Sequence, residues 1–133
     1  MSGVNNTLFK ISKQEHRDNL ARLNDAVGQV HASLEINKDS DILKGHFPGQ
    51  PVIPGACMLQ IVKEVLEDAL AASMRLKKAD HLKFIVMIDP ATTHTVLLDL
   101  AYKVVTEDSL NVTAKIVNGE VVCFKFQGTF IRE

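Results

Sequence analysis

Tryptophan is absent from these 133 residues, and tyrosine occurs once. Branched aliphatic side chains must therefore fill most of the core. At this length one domain, residues 1–133, can bury such a core without disulfides or metal. An excess of either charge is missing too, since 15 Lys and Arg stand against 16 Asp and Glu. The resulting net charge of −1 leaves no electrostatic footprint for nucleic acid. Cysteine is scarce, and Cys57 and Cys123 lie far apart with no C-x-x-C spacing, which excludes a disulfide framework. Two reduced thiols fit a cytoplasmic setting. No apolar run approaches the roughly 18 residues of a membrane span. Met1–Asn6 offer neither the basic nor the apolar part of a signal peptide. Internal repeats and low-complexity stretches are also missing.

Proline is rare, four residues in all, yet three of them crowd into one segment, Gly45-His46-Phe47-Pro48-Gly49-Gln50-Pro51-Val52-Ile53-Pro54-Gly55. Each Pro fixes its own φ and pushes the preceding residue out of the helical region, so the segment stays a stiff loop. Gly55 has no Cβ, which lets its backbone N–H approach another group closely where a helix dipole is positive. A histidine held beside a donor-rich helix N-terminus suits chemistry on a carbonyl compound.

Around this loop the pattern predicts an α+β domain. Thr7–Ile11 reads as an edge strand. Ser12-Lys13-Gln14-Glu15 has the form of a capping box, but the polar residues after it leave helix and loop both open. Val30, Ala32, Leu34 and Ile36 alternate along a half-buried strand from Gln29 to Ile36. From Pro54 or Gly55 to about Met74 the chain reads as one long helix, about 30 Å at 1.5 Å per residue. Its first two turns are apolar nearly all round, so they are expected inside a core. Polar side chains dominate beyond Val62, which directs Gln60 toward the interior and Glu64 toward water. Four strands follow, at His81–Ile88, Val96–Val105, Leu110–Val117 and Glu120–Ile131. Asn118-Gly119 predicts a type I′ hairpin with positive φ at both residues. Val122, Phe124, Phe126, Gly128 and Phe130 share one face of the last strand.

His46-Phe47-Pro48, Pro51, Pro54 and Gly55 resemble the H-F-P-x-x-P-x-x-P-G motif of the bacterial 3-hydroxyacyl-acyl-carrier-protein dehydratases. The resemblance implies a hot-dog fold, a curved antiparallel sheet wrapped round one long central helix. It implies that His46 abstracts the α-proton of a 3-hydroxyacyl thioester while the Gly55 N–H binds the developing enolate oxygen. Phe47, Pro54 and Cys57 would contact the substrate, and an apolar tunnel beside the helix would hold its acyl chain. The family places an acid fourteen residues after the histidine, and here that position holds Gln60. Where the family reads acid-x-x-x-Gln, this chain reads Gln60-Ile61-Val62-Lys63-Glu64, with carboxylate and amide exchanged. Residues four apart share a helix face about 5–6 Å apart. A buried Glu64 could therefore act as the acid with Gln60 bonded to it, whereas a solvated Glu64 would leave a degraded site.

The expected activity is dehydration of acyl thioesters in fatty acid, polyene or polyketide biosynthesis. The substrate would be carried on acyl-carrier protein or coenzyme A, by a homodimer or higher oligomer that uses neither cofactor nor metal. The alternatives are a weakened acyl-binding subunit of a heteromeric dehydratase, and a thioesterase in which His46 activates water. His16, His31, His81 and His94 lack metal-ligand spacing and read as surface or strand residues. Cys57 reads as a core cysteine rather than a nucleophile. The basic run Arg75, Lys77 and Lys78 reads as a solvated turn or a carrier-docking patch.

Overall fold

Among the described residues six strands join one sheet, and alternating apolar residues build four of them. The structure, a computed structural model, describes residues 8–18, 27–44 and 52–133. In chain order these form β1 (Phe9–Asp18), β2 (Val27–Ile36), a short α1 (Asp41–Lys44), α2 (Gly55–Leu70), β3 (Met74–Phe84), β4 (Thr95–Val104), β5 (Ser109–Asn118) and β6 (Val121–Arg132). Every neighbouring pair is antiparallel, in the order β1-β2-β4-β5-β6-β3. The passage through α2 carries the chain to the far edge at β3, and the last three strands fill the middle.

One face of this curved sheet is the core. Val30, Ala32 and Leu34 of β2, Val96, Leu98 and Leu100 of β4, and Leu110, Val112 and Ile116 of β5 are all buried. Phe124, Phe126 and Phe130 complete it from β6, as the last-strand pattern requires. Met58, Ile61, Val62, Val65 and Leu66 of α2 are buried too, and the helix contacts β1 through β4. Each such side chain contributes about 1.5–3 kcal/mol of transfer free energy, before ordering costs. The α+β class and the antiparallel sheet thus match the architecture expected of a hot-dog domain.

Three elements differ from the sequence reading. The helix is 16 residues long and ends at Leu70, not near Met74. Ala71 stops it by taking the left-handed conformation, φ 51 and ψ 45. The Ala72 N–H then bonds the Glu67 carbonyl at 3.2 Å, and the Glu67 carboxylate accepts the Met74 N–H at 2.8 Å. That bond ties the helix end to the first residue of β3, so residues 74–80, including the basic run, are strand rather than turn. Second, Ser12–Glu15 lie within β1, where a bulge between Ile11 and Lys13 interrupts the pairing with β2. Third, Asn118 pairs with Val121 as part of the ladder, which leaves Gly119 and Glu120 as the hairpin residues. Only Gly119 has positive φ there, at 63, the requirement of a type II′ turn rather than type I′.

Candidate active site

The residues just before α2 are held by a backbone bond. The Ile53 N–H donates to the Ile88 carbonyl at 3.1 Å, fixing the start of α2 against the segment that follows β3. Pro54 is extended, φ −62 and ψ 142, and as N-cap it supplies no side-chain cap. Its carbonyl instead accepts the N–H groups of Cys57 at 3.0 Å and Met58 at 3.4 Å. Among the described residues, the N–H groups of Gly55 and Ala56 find no acceptor. Two donors at the positive end of a 16-residue helix suit a developing oxyanion.

Gly55 is glycine for a second reason. A Cβ built there would lie 2.5 Å from Cε1 and Cζ of Phe84, at the end of β3. The Phe84 ring therefore rests against the first turn of α2, stacked at a tilt on Phe124 with 5.4 Å between centroids. It remains 53% exposed. Sequence reasoning did not single out Phe84. Alternation would have placed it on a face of the strand beginning at His81, but only the crossing of that strand's end with α2 gives it a neighbour in the site.

The helix places Glu64 opposite to the expectation. Ala56, Gln60, Glu64 and Asp68 form one i, i+4 ridge. Ala56, Gln60 and Asp68 are exposed, whereas Glu64 is 7% exposed. The expectation that Glu64 faces water is therefore wrong. Strand β1 reaches this ridge, with Gln14 Nε2 donating to Asp68 Oδ2 at 3.1 Å, and such tertiary cover is invisible to a helical wheel. Glu64 meets the burial condition for an acid on this helix. Gln60 is open on the surface of the single chain.

Cys57 is half-buried in the first turn, and burial holds its thiol above the ordinary range. That environment disfavours a thiolate nucleophile, as the sequence reading held. His16 lies in β1, where Nε2 meets the Tyr102 hydroxyl at 2.7 Å. His31 Nδ1 meets Asp99 Oδ1 at 2.5 Å across β2 and β4, and His81 lies on β3. No cluster with metal-ligand character occurs among the described residues. No helix among them is long and apolar enough to cross a membrane. His46 and Phe47, with the rest of 45–51, lie outside the described residues.

With this geometry in place, the comparisons decide the family. The ApeI-like family, described as ApeI dehydratase, matches residues 22–125, more than half of the chain. The chain belongs to the ApeI-like dehydratase family. No curated protein matches it. An uncharacterized protein from Erwinia carotovora subsp. atroseptica superposes with a TM-score of 0.66 at 23% identity, covering 95% of this chain and 96% of that one. A Lactococcus lactis protein put forward as a thioesterase gives 0.69 at 8% identity, covering 92% and 93%. A chain of the dehydratase heterocomplex ApeI:P from Xenorhabdus doucetiae gives 0.56 at 18%, covering 90% and 99%. At these identities the three likenesses show the fold and no more.

Proposed function

We propose that this ApeI-like protein removes water from a 3-hydroxyacyl thioester carried on acyl-carrier protein or coenzyme A. The observation that carries the reading is the burial of Glu64 on the helix that opens at the motif glycine, Gly55. His46 takes the α-proton, and the electron pair of that C–H bond becomes the new double bond as the Cβ–O bond breaks. The Gly55 N–H holds the thioester oxygen while it carries enolate charge. Glu64 delivers a proton to the departing hydroxyl, which leaves as water. A general acid must carry its proton when the hydroxyl departs. Gln60 orients the hydroxyl or a water, since an amide can hydrogen-bond but cannot supply the proton. Phe47, Pro54 and Cys57 border the acyl chain in an apolar tunnel beside α2.

Incubation with a 3-hydroxyacyl-carrier substrate should yield a product lighter by one water, without free carrier thiol. Thiol release with no loss of water would replace elimination by thioester hydrolysis. His46→Ala should lower kcat by about 10²–10⁴, the usual contribution of a general base. Unchanged turnover in that variant would remove His46 from the mechanism.

The active form is a homodimer in this reading. Edge strand β3 and the residues after it expose Leu82, Phe84, Ile85, Val86 and Met87, an apolar run on an open sheet edge. Such an edge invites pairing with another chain. Light scattering is expected to report two chains at micromolar concentration, and a monomer there would rule the dimer out. A partner of different sequence is the second form this edge allows, and the ApeI:P assembly is a heterocomplex with a chain of similar fold.

A further inference from the structure

The sheet face turned away from α2 carries a second candidate site, with which the dehydration chemistry has no contact. Register places His31, Asp99, Lys115, Lys125 and Lys83 side by side in one row across β2, β4, β5, β6 and β3. Next to it runs a second row of Gln29, Ala101, Thr113, Gln127 and His81. Both rows line one groove of about 640 Å³. Within the first row, Asp99 is engaged by His31 at 2.5 Å. Among the described residues, none of the three lysines has a carboxylate within ion-pair distance.

Lysines directly opposite one another on adjacent strands repel, and such pairs are destabilising. Here the sequence sets two such pairs end to end, Lys115 with Lys125 and Lys125 with Lys83. With strands about 4.8 Å apart, three cationic stems stand across roughly 10 Å. The whole chain has a net charge of −1, so this concentration of positive charge is local. The second row holds no acid and no lysine, only amide, hydroxyl and imidazole groups beside one alanine. The groove thus has a cationic track and a neutral hydrogen-bonding track, and its volume lies within the usual range of about 300–1,000 Å³ for small-molecule sites.

We propose that this outer groove binds a nucleoside polyphosphate. The phosphoryl groups lie along Lys83, Lys125 and Lys115, which act as point charges. The nucleoside lies over Ala101 against Thr113, Gln127 and Gln29, whose groups can both donate and accept hydrogen bonds. A single phosphate would leave two of the three lysines unmatched, and an uncharged ligand all three. The test is calorimetric titration of the full chain with ADP at low salt, with inorganic diphosphate as the comparison. ADP should bind at least tenfold more tightly than diphosphate, and affinity should fall steeply as salt rises. Lys125→Gln should weaken ADP by about tenfold or more, consistent with loss of one contact worth about 1.4 kcal/mol. Gln127→Ala should erase the preference for ADP over diphosphate. Both positions are exposed, and circular dichroism of the variants should match that of the parent. Absence of ADP binding at millimolar concentration overturns the proposal. So does equal binding of ADP and diphosphate, affinity unchanged in Lys125→Gln, or capture of an acidic protein on this face without affinity for ADP.

Discussion

Glu64→Gln should abolish dehydration, lowering kcat by two or more decades while leaving KM within a few-fold. The amide keeps the shape and hydrogen-bonding capacity of the carboxyl but has no proton to give to the leaving hydroxyl. A loss confined to kcat marks an interaction made in the transition state rather than in binding. Circular dichroism and the melting temperature of the variant should be compared with those of the parent, because Glu64 is only 7% exposed. Gln60→Ala should cost far less, since in the proposed mechanism position 60 only orients a group. The competing arrangement puts the acid at residue 60 in a site whose carboxylate has been lost. It requires Gln60→Glu to raise activity and Glu64→Gln to leave it alone. Measuring both variants with one substrate separates the two, and a gain in Gln60→Glu would return the acid to position 60. The exposure of Gln60 and the burial of Glu64 favour the first outcome.

That contrast also shows where sequence reasoning fails for this chain. Strands β2, β4, β5 and β6 were legible because their inner faces are buried and their outer faces are wet, so alternation records their environment. The β3 segment is exposed along nearly its whole length after Met74, so no alternation marks its first half. Leu66, Leu70 and Met74 keep a spacing of four across the break, which extended the apparent helix. The stop itself carries no signal, since Ala71 takes a conformation that glycine usually announces. Glu64 was misplaced for a related reason. Polar neighbours such as Lys63 and Asp68 describe the helix surface locally, while burial of one position on that surface depends on what crosses it. The start of the helix was legible, because the prolines and Gly55 placed it at Pro54 or Gly55, and α2 does begin at Gly55. The contact of Phe84 with Gly55 joins residues 29 apart, which no local pattern reports.

Gly128→Ala should destabilise the fold by about 3 kcal/mol, with a fall in Tm of roughly 10 °C. A Cβ at Gly128 would lie 2.3 Å from the Lys78 carbonyl oxygen and 2.6 Å from Cζ of Phe126. Lys78 stands between two irregularities in the β3–β6 ladder, one between Leu76 and Lys78 and the other between Ala79 and His81. The backbone of β3 bends close to β6 there, and only a residue without a side chain fits beneath it. The first of the two obstacles is backbone, so no rotamer change can relieve it. Gly28 supplies the contrast, because the atoms nearest its added Cβ, from 2.3 Å, belong to the Tyr102 side chain rather than to backbone. Gly119 supplies another, with open space around it and only its positive φ to oppose substitution. Gly119→Ala is expected to cost about 1 kcal/mol. Denaturant titration of the three variants should rank Gly128 well above the other two. Equal costs at 119 and 128 would show that β3 yields without penalty. If Gly128→Ala survives as a folded protein, turnover should fall as well. Strand β3 ends at Phe84, and the Phe84 ring rests on the first turn of α2, beside the Gly55 N–H that the proposed mechanism uses.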